Sequence, residues 1–83
     1  MHVRVLLFAT YREIVGDPEI RWSIPDRSSL AEFLESFLAA HPKLVPHRKS
    51  MMLAVNETYV GPETILRDGD EVALLPPVSG GIM

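Results

Sequence analysis

The segment Ser29-Leu30-Ala31-Glu32-Phe33-Leu34-Glu35-Ser36-Phe37-Leu38 decides the fold. Ser29 followed three residues later by Glu32 is the capping-box pattern, in which each residue satisfies an amide N–H that a helix start leaves free. Leu30, Phe33, Leu34, Phe37 and Leu38 recur at i, i+3, i+4, i+7 and i+8, so all of them fall on one helix face. Pro42 disfavours continuation past His41. The spacing predicts one helix with a single apolar stripe. Burial of those side chains contributes ~1.5–3 kcal/mol each, whereas ordering the backbone costs roughly 1–2 kcal/mol per residue. The two nearly cancel, so the helix needs a sheet to lie across.

Strands for that sheet are legible on both sides of the helix. Residues 3–9, Val-Arg-Val-Leu-Leu-Phe-Ala, form an apolar run of strand-formers, followed by the turn signal Gly16-Asp17-Pro18. A loop and then a second strand near 19–24 are expected, because Ile20, Trp22 and Ile24 alternate with Arg21 and Ser23. The pair reads as a hairpin. After the helix, Met51 to Asn56 is one candidate strand, and Glu71 to Leu75 is the last, entered through the turn Asp68-Gly69-Asp70. The order strand, strand, helix, strand, short strand, strand matches an α+β fold of β-grasp type: a mixed sheet of about five strands packed on one main helix. One helix covers only one face of that sheet. Yet the first strand offers Val5 and Leu7 on one side with Leu6 and Phe8 on the other, and the last sets Val72 and Leu74 against Ala73 and Leu75. A partner is expected to cover the second face, unless loops such as 43–50 or ordinary apolar surface account for it.

At 83 residues the chain is read as one domain, 1–83, with residues 76–83 as a flexible tail. Its 47% hydrophobic content, 23% charged content and net charge of −3 describe an ordinary soluble domain of mildly acidic character, which argues against a nucleic-acid partner. The absence of cysteine excludes disulfides, thiolate metal sites and a cysteine nucleophile. No apolar run approaches a membrane span and no signal-peptide layout opens the chain, so no membrane partner and a cytoplasmic location are expected. His2, His41 and His47 lack ligand spacing, and no metal site is expected. Asp68, Asp70 and Glu71 read as an acidic turn rather than a calcium loop. Lys43, His47, Arg48 and Lys49 read as a solvated basic cluster. Arg12 and Glu13 suit either a loop-holding role or a partner contact.

The tail departs from core-like composition. In Pro76-Pro77-Val78-Ser79-Gly80-Gly81 two prolines impose extended backbone and two glycines carry no side chain, so the segment can enter a narrow cleft. Composition alone favours the plainer reading, a frayed, disordered terminus.

Three blocks go further: Phe8-Ala9-x-x-Arg12-Glu13-x-x-Gly16, Ala54-Val55-Asn56-Glu57-Thr58, and Asp68-Gly69-Asp70-Glu71-Val72-Ala73-x-x-Pro76-Pro77-Val78-Ser79-Gly80-Gly81. Through them the chain resembles the small subunit of molybdopterin synthase, the MoaD-type ubiquitin-like sulfur carrier. The resemblance implies that the terminal glycine, Gly81 here with Gly80 before it, is adenylated by an ATP-using, ubiquitin-activating-like adenylyltransferase and converted by a sulfur donor to a thiocarboxylate. It implies insertion of the tail into the synthase large subunit, within a heterotetramer, and sulfur transfer to cyclic pyranopterin monophosphate. Leu75, Pro76, Pro77, Val78 and Ser79 would then contact the partner. No cofactor would be bound by this chain, and ATP would be used by the activating enzyme.

Two departures from the family pattern carry consequences. Members usually end at the glycine pair, whereas Ile82 and Met83 follow Gly81 here, so removal of both is expected before activation. Leu74-Leu75 stands where aromatic residues are common. Alternatives within the same chemistry are a carrier for thiamine, tRNA or cysteine synthesis. From other classes come a modifier conjugated to lysines and a plain binding module with an inert tail.

Overall fold

The computed structural model describes residues 1–77. Strand β1 (His2–Leu7) alternates strictly, with Val3, Val5 and Leu7 buried between the exposed His2 and Arg4 and the half-buried Leu6. Strand β2 (Glu19–Ser23) pairs antiparallel with it, Val3 opposite Trp22 and Val5 opposite Ile20. On the other side of β1 lies β5 (Glu71–Leu75), parallel, with Val5 opposite Val72 and Leu7 opposite Leu74. Strand β3 (Met52–Val55) runs antiparallel to β5 and to β4 (Thr58–Tyr59), so the order across the sheet is β2-β1-β5-β3-β4. A mixed five-stranded sheet with its last strand at the centre is the β-grasp expected from the order of elements.

Helix α2 (Leu30–Ala40) packs on one face and buries Leu30, Phe33, Leu34, Phe37 and Leu38. Its capping box is formed: the Ser29 hydroxyl accepts from the Glu32 amide at 3.1 Å, and the Glu32 carboxylate accepts from the Ser29 amide at 2.8 Å. The next two amides find carbonyls far along the chain, Leu30 donating to Thr64 at 2.8 Å and Ala31 to Pro62 at 3.0 Å. These bonds anchor the 60–66 connection to the helix start. At the sheet margin the Trp22 ring meets Phe37 edge-on, centroids 5.0 Å apart, and its indole N–H donates to Ser36 Oγ at 3.0 Å. Thus a large aromatic closes the core where β2 leaves it open, with its one polar group satisfied.

Two expected loops are helical. Between β1 and β2 the chain forms α1 (Ala9–Val15), which begins after Phe8 and ends at Gly16, whose φ of +92° and amide bond to the Arg12 carbonyl at 2.8 Å terminate it. Its inward residue, Tyr11, is only 1% exposed. So β1 and β2 are antiparallel neighbours, as a hairpin would be, but two helical turns join them. Arg12 and Glu13 lie on the exposed side of α1 and form no ion pair among the described residues. Residues Pro42–Ser50 form a 3₁₀ helix that buries Leu44 in the main core, on the same side of the sheet as α2. His47 packs edge-on against Tyr11, and Arg48 pairs with Glu35. This segment therefore does not cover the second face of the sheet.

Candidate functional site

The pleat sends alternate residues of every strand to opposite sides. With Val3, Val5, Leu7, Val72 and Leu74 facing α2, the register places Leu6, Ala73, Ala54 and Tyr59 in one cross-strand row on the far face. One step nearer the end of β5, Leu75 sits opposite Met52, and Phe8 follows the end of β1. Phe8 is 42% exposed and Tyr59 59% exposed, large apolar surface for a small domain to leave in water. Ala54 and Ala73 are buried and form the floor of a depression of about 400 Å³ whose walls include Leu6, Phe8, Tyr59 and Leu75. The small floor residues make this a groove rather than a ridge.

Local chemistry sets each wall. Phe8 is held beside β5 because its amide donates to the Leu74 carbonyl at 3.3 Å, and at Ala9 the chain turns away with φ +50°. Tyr59 is carried by the shortest strand, joined to β3 by the two-residue turn Asn56-Glu57, where φ is +50° and +69°. Positive φ at both central positions marks the hairpin turn that matches strand twist. Asn56 fixes that turn to β5: its side-chain carbonyl accepts from the Glu71 amide and its side-chain amide donates to Asp70, both at 3.0 Å.

Of the site residues named from sequence, Leu75 is the last residue of β5 and half-buried on this open face; Pro76 is half-buried and Pro77 exposed. Val78, Ser79, Gly80 and Gly81 lie outside the described residues. The outward parity of Leu6, Phe8, Ala73 and Leu75 is readable from alternation. Met52, Ala54 and Tyr59 are contributed in addition by β3 and β4. A two-residue strand leaves no periodic signal, so only the Asn56-Glu57 turn could have pointed to Tyr59.

Electrostatically the open face is divided. Its far end carries Arg4, bonded to Glu71 at 2.8 Å and near Glu19 at 3.6 Å, while the end from which β5 departs is apolar. The shifted ionisable group is elsewhere: burial pushes the Tyr11 phenol above its ordinary 10.0, with the Ser50 hydroxyl pulling less strongly the other way. Around the end of β5 the described neighbours Phe8, Met52 and Leu75 are suited to contact rather than to proton transfer.

Residues 5–81 match the ThiS family. A molybdopterin synthase sulfur carrier subunit of Chlamydomonas reinhardtii is 41% identical over 83 residues, covering 98% of this chain and 100% of the relative. Among solved structures, the protein–protein complex of subunits 1 and 2 of molybdopterin-converting factor from Helicobacter pylori contains a chain 28% identical, with a TM-score of 0.72, covering 98% of this chain and 100% of that one. The small archaeal modifier protein 1 of Methanosarcina acetivorans is 33% identical with a TM-score of 0.80, covering 96% of each.

Proposed function

This chain belongs to the ThiS family, and on that premise we propose that it is the sulfur carrier subunit of a molybdopterin synthase, with Gly81 as the residue that bears sulfur. The observation that carries the reading is the extent of the match, which spans the domain and the tail as far as Gly81 and leaves only Ile82 and Met83 beyond it. The open apolar groove beside the departure of the tail supports it from a second direction.

The chemistry requires a free carboxylate at Gly81. A carboxylate is a poor electrophile; attack of its oxygen on ATP, catalysed by an adenylyltransferase, releases pyrophosphate and gives an acyl adenylate with AMP as leaving group. A sulfur donor displaces AMP and leaves a thiocarboxylate. That nucleophile, carried on side-chain-free residues, enters the synthase large subunit and bonds to cyclic pyranopterin monophosphate through sulfur; water then cleaves the Gly81 C–S bond, which returns the carboxylate and leaves the sulfur on the pterin precursor. In this chain the amide to Ile82 occupies the carbonyl, so cleavage after Gly81 comes first. The large subunit docks on the groove formed by Leu6, Phe8, Tyr59 and Leu75, and Pro76, Pro77, Val78 and Ser79 contact it. This sequence of events belongs in the cytoplasm.

A second reading has one observation in its favour, the 33% identity to a protein named as a modifier. Lysine-linked adducts of the chain on other proteins would support it over sulfur delivery.

The test compares three purified forms, ending at Gly80, Gly81 and Met83, in a mixture of activating enzyme, ATP, sulfur donor and synthase large subunit. The Gly81 form should exchange one oxygen for sulfur by mass spectrometry and make molybdopterin; the other two should do neither without a protease. Failure of the Gly81 form to become thiocarboxylated would overturn the proposal. Full activity of the intact Met83 form would overturn the processing step.

A further inference from the structure

Beyond the groove, the open face carries a charged row. In register across β2, β1 and β5 stand Arg21, Arg4 and Glu71, and the next row is Glu19, Leu6 and Ala73. The rows are about 7 Å apart, two residues of strand rise, so a surface seated on Leu6 and Ala73 also reaches Arg21 and Arg4.

These two arginines are not equivalent. They are directly cross-strand, a placement that sets like charges side by side at a cost. Arg4 is compensated on both flanks, by Glu71 at 2.8 Å and Glu19 at 3.6 Å. Arg21 is exposed at the edge strand and has neither an ion pair nor a side-chain hydrogen bond among the described residues. Glu71 and Glu19 are engaged by Arg4, and the third carboxylate nearby, Asp68, accepts from the His2 amide at 2.8 Å, so the Arg21 guanidinium is left available to a carboxylate from outside. It lines a second shallow depression with His2, Arg4, Glu19 and Asp68.

Resting on the docking surface proposed above, we infer that the partner subunit covers this charged end as well, and sets a carboxylate against Arg21 that fixes the orientation of the carrier. The chain is net −3, so its overall charge does not attract an acidic surface; a local, bidentate Arg–carboxylate contact sets direction instead. An apolar groove alone tolerates sliding and rotation. A charge pair roughly two rows from Leu75 removes that freedom and aims the tail at the active-site entrance.

The experiment measures binding of the full chain to its cognate large subunit at low and high salt for wild type, Arg21→Ala, Arg21→Glu and Leu75→Glu, with circular dichroism as the control for folding. Arg21→Ala should weaken binding about threefold and Arg21→Glu on the order of tenfold or more, because reversal opposes two carboxylates. Both deficits should shrink at high salt. If both Arg21 variants bind like wild type while Leu75→Glu binds poorly, the charge contact is overturned and the groove interface stands. If Leu75→Glu and the Arg21 variants all bind normally, the docking surface is overturned as well.

Discussion

A carboxylate placed in the groove tests the proposed interface most sharply. Leu75 is half-buried in the free domain, so Leu75→Glu should cost the fold about half of the ~1.5–3 kcal/mol that complete burial of a leucine contributes. That is about 1 kcal/mol, or a melting point roughly 4–8 °C lower for a domain of this size, and the variant should remain folded. In the complex the loss is larger. The uncovered half of the leucine contributes about another 1 kcal/mol of burial. The introduced carboxylate must also be buried unpaired, reach water at the rim, or take up a proton. Protonation at pH 7 of a group with an ordinary value near 4.3 costs about 3.7 kcal/mol, and this bounds the charge penalty. The expected weakening thus runs from about fivefold, if the carboxylate escapes to water, to on the order of a few thousandfold if it does not. The two cases separate by pH. A carboxylate forced neutral in the complex has its bound-state value raised, so its binding deficit grows about tenfold per unit above its free value and fades below it. Calorimetric titration of large subunit with wild type and variant from pH 5 to 8, with thermal unfolding of each free form, measures both effects. Affinity within threefold of wild type at pH 7, or an unfolded free variant, would refute this placement of the interface.

The remaining predictions concern stability. The Tyr11 hydroxyl is buried and, although Ser50 lies near enough to act on it, has no partner in bonding geometry, the Ser50 hydroxyl donating instead to the His47 carbonyl at 3.2 Å. Tyr11→Phe should therefore leave stability at pH 7 unchanged or raise it by about 1 kcal/mol in urea unfolding, and a loss of about 1 kcal/mol or more would show that the hydroxyl is bonded to Ser50. Because burial holds the folded phenol above 10.0, its contribution is fully present below pH 10 and lost as the pH rises beyond it. The wild type should therefore fall behind Tyr11→Phe in alkaline solution. Glu57 occupies a turn position at φ +69° that favours glycine, and Glu57→Gly should stabilise the domain by about 0.5–1 kcal/mol. A decrease would mean that the Glu57 side chain makes a contact outweighing the backbone strain.

Helix α2 was readable because its determinants are local. The Ser29/Glu32 box closes within three residues, and the stripe from Leu30 to Leu38 repeats within three turns. Strand β2 was readable because one buried face imposes alternation, and β1 and β5 because short runs of strand-formers lie next to turn residues. α1 was not, since seven residues make too short a helix to hold by propensity; it forms because Tyr11 reaches the core. Nor was the 3₁₀ helix Pro42–Ser50, which contains two prolines and buries the single residue Leu44.

The sequence by itself determined helix α2, strands β1, β2 and β5, and the likeness of the tail with its Gly80-Gly81 pair to sulfur carriers, because capping, strand pattern and motif are properties of neighbouring residues. Tertiary structure alone decided the parallel pairing of β1 with β5, which joins Arg4 to Glu71 across 67 positions. It also decided that Leu6, Phe8, Met52, Ala54, Tyr59, Ala73 and Leu75 share one surface. Contacts at such separation follow from which strands pack together under one helix, and no window of sequence contains both partners.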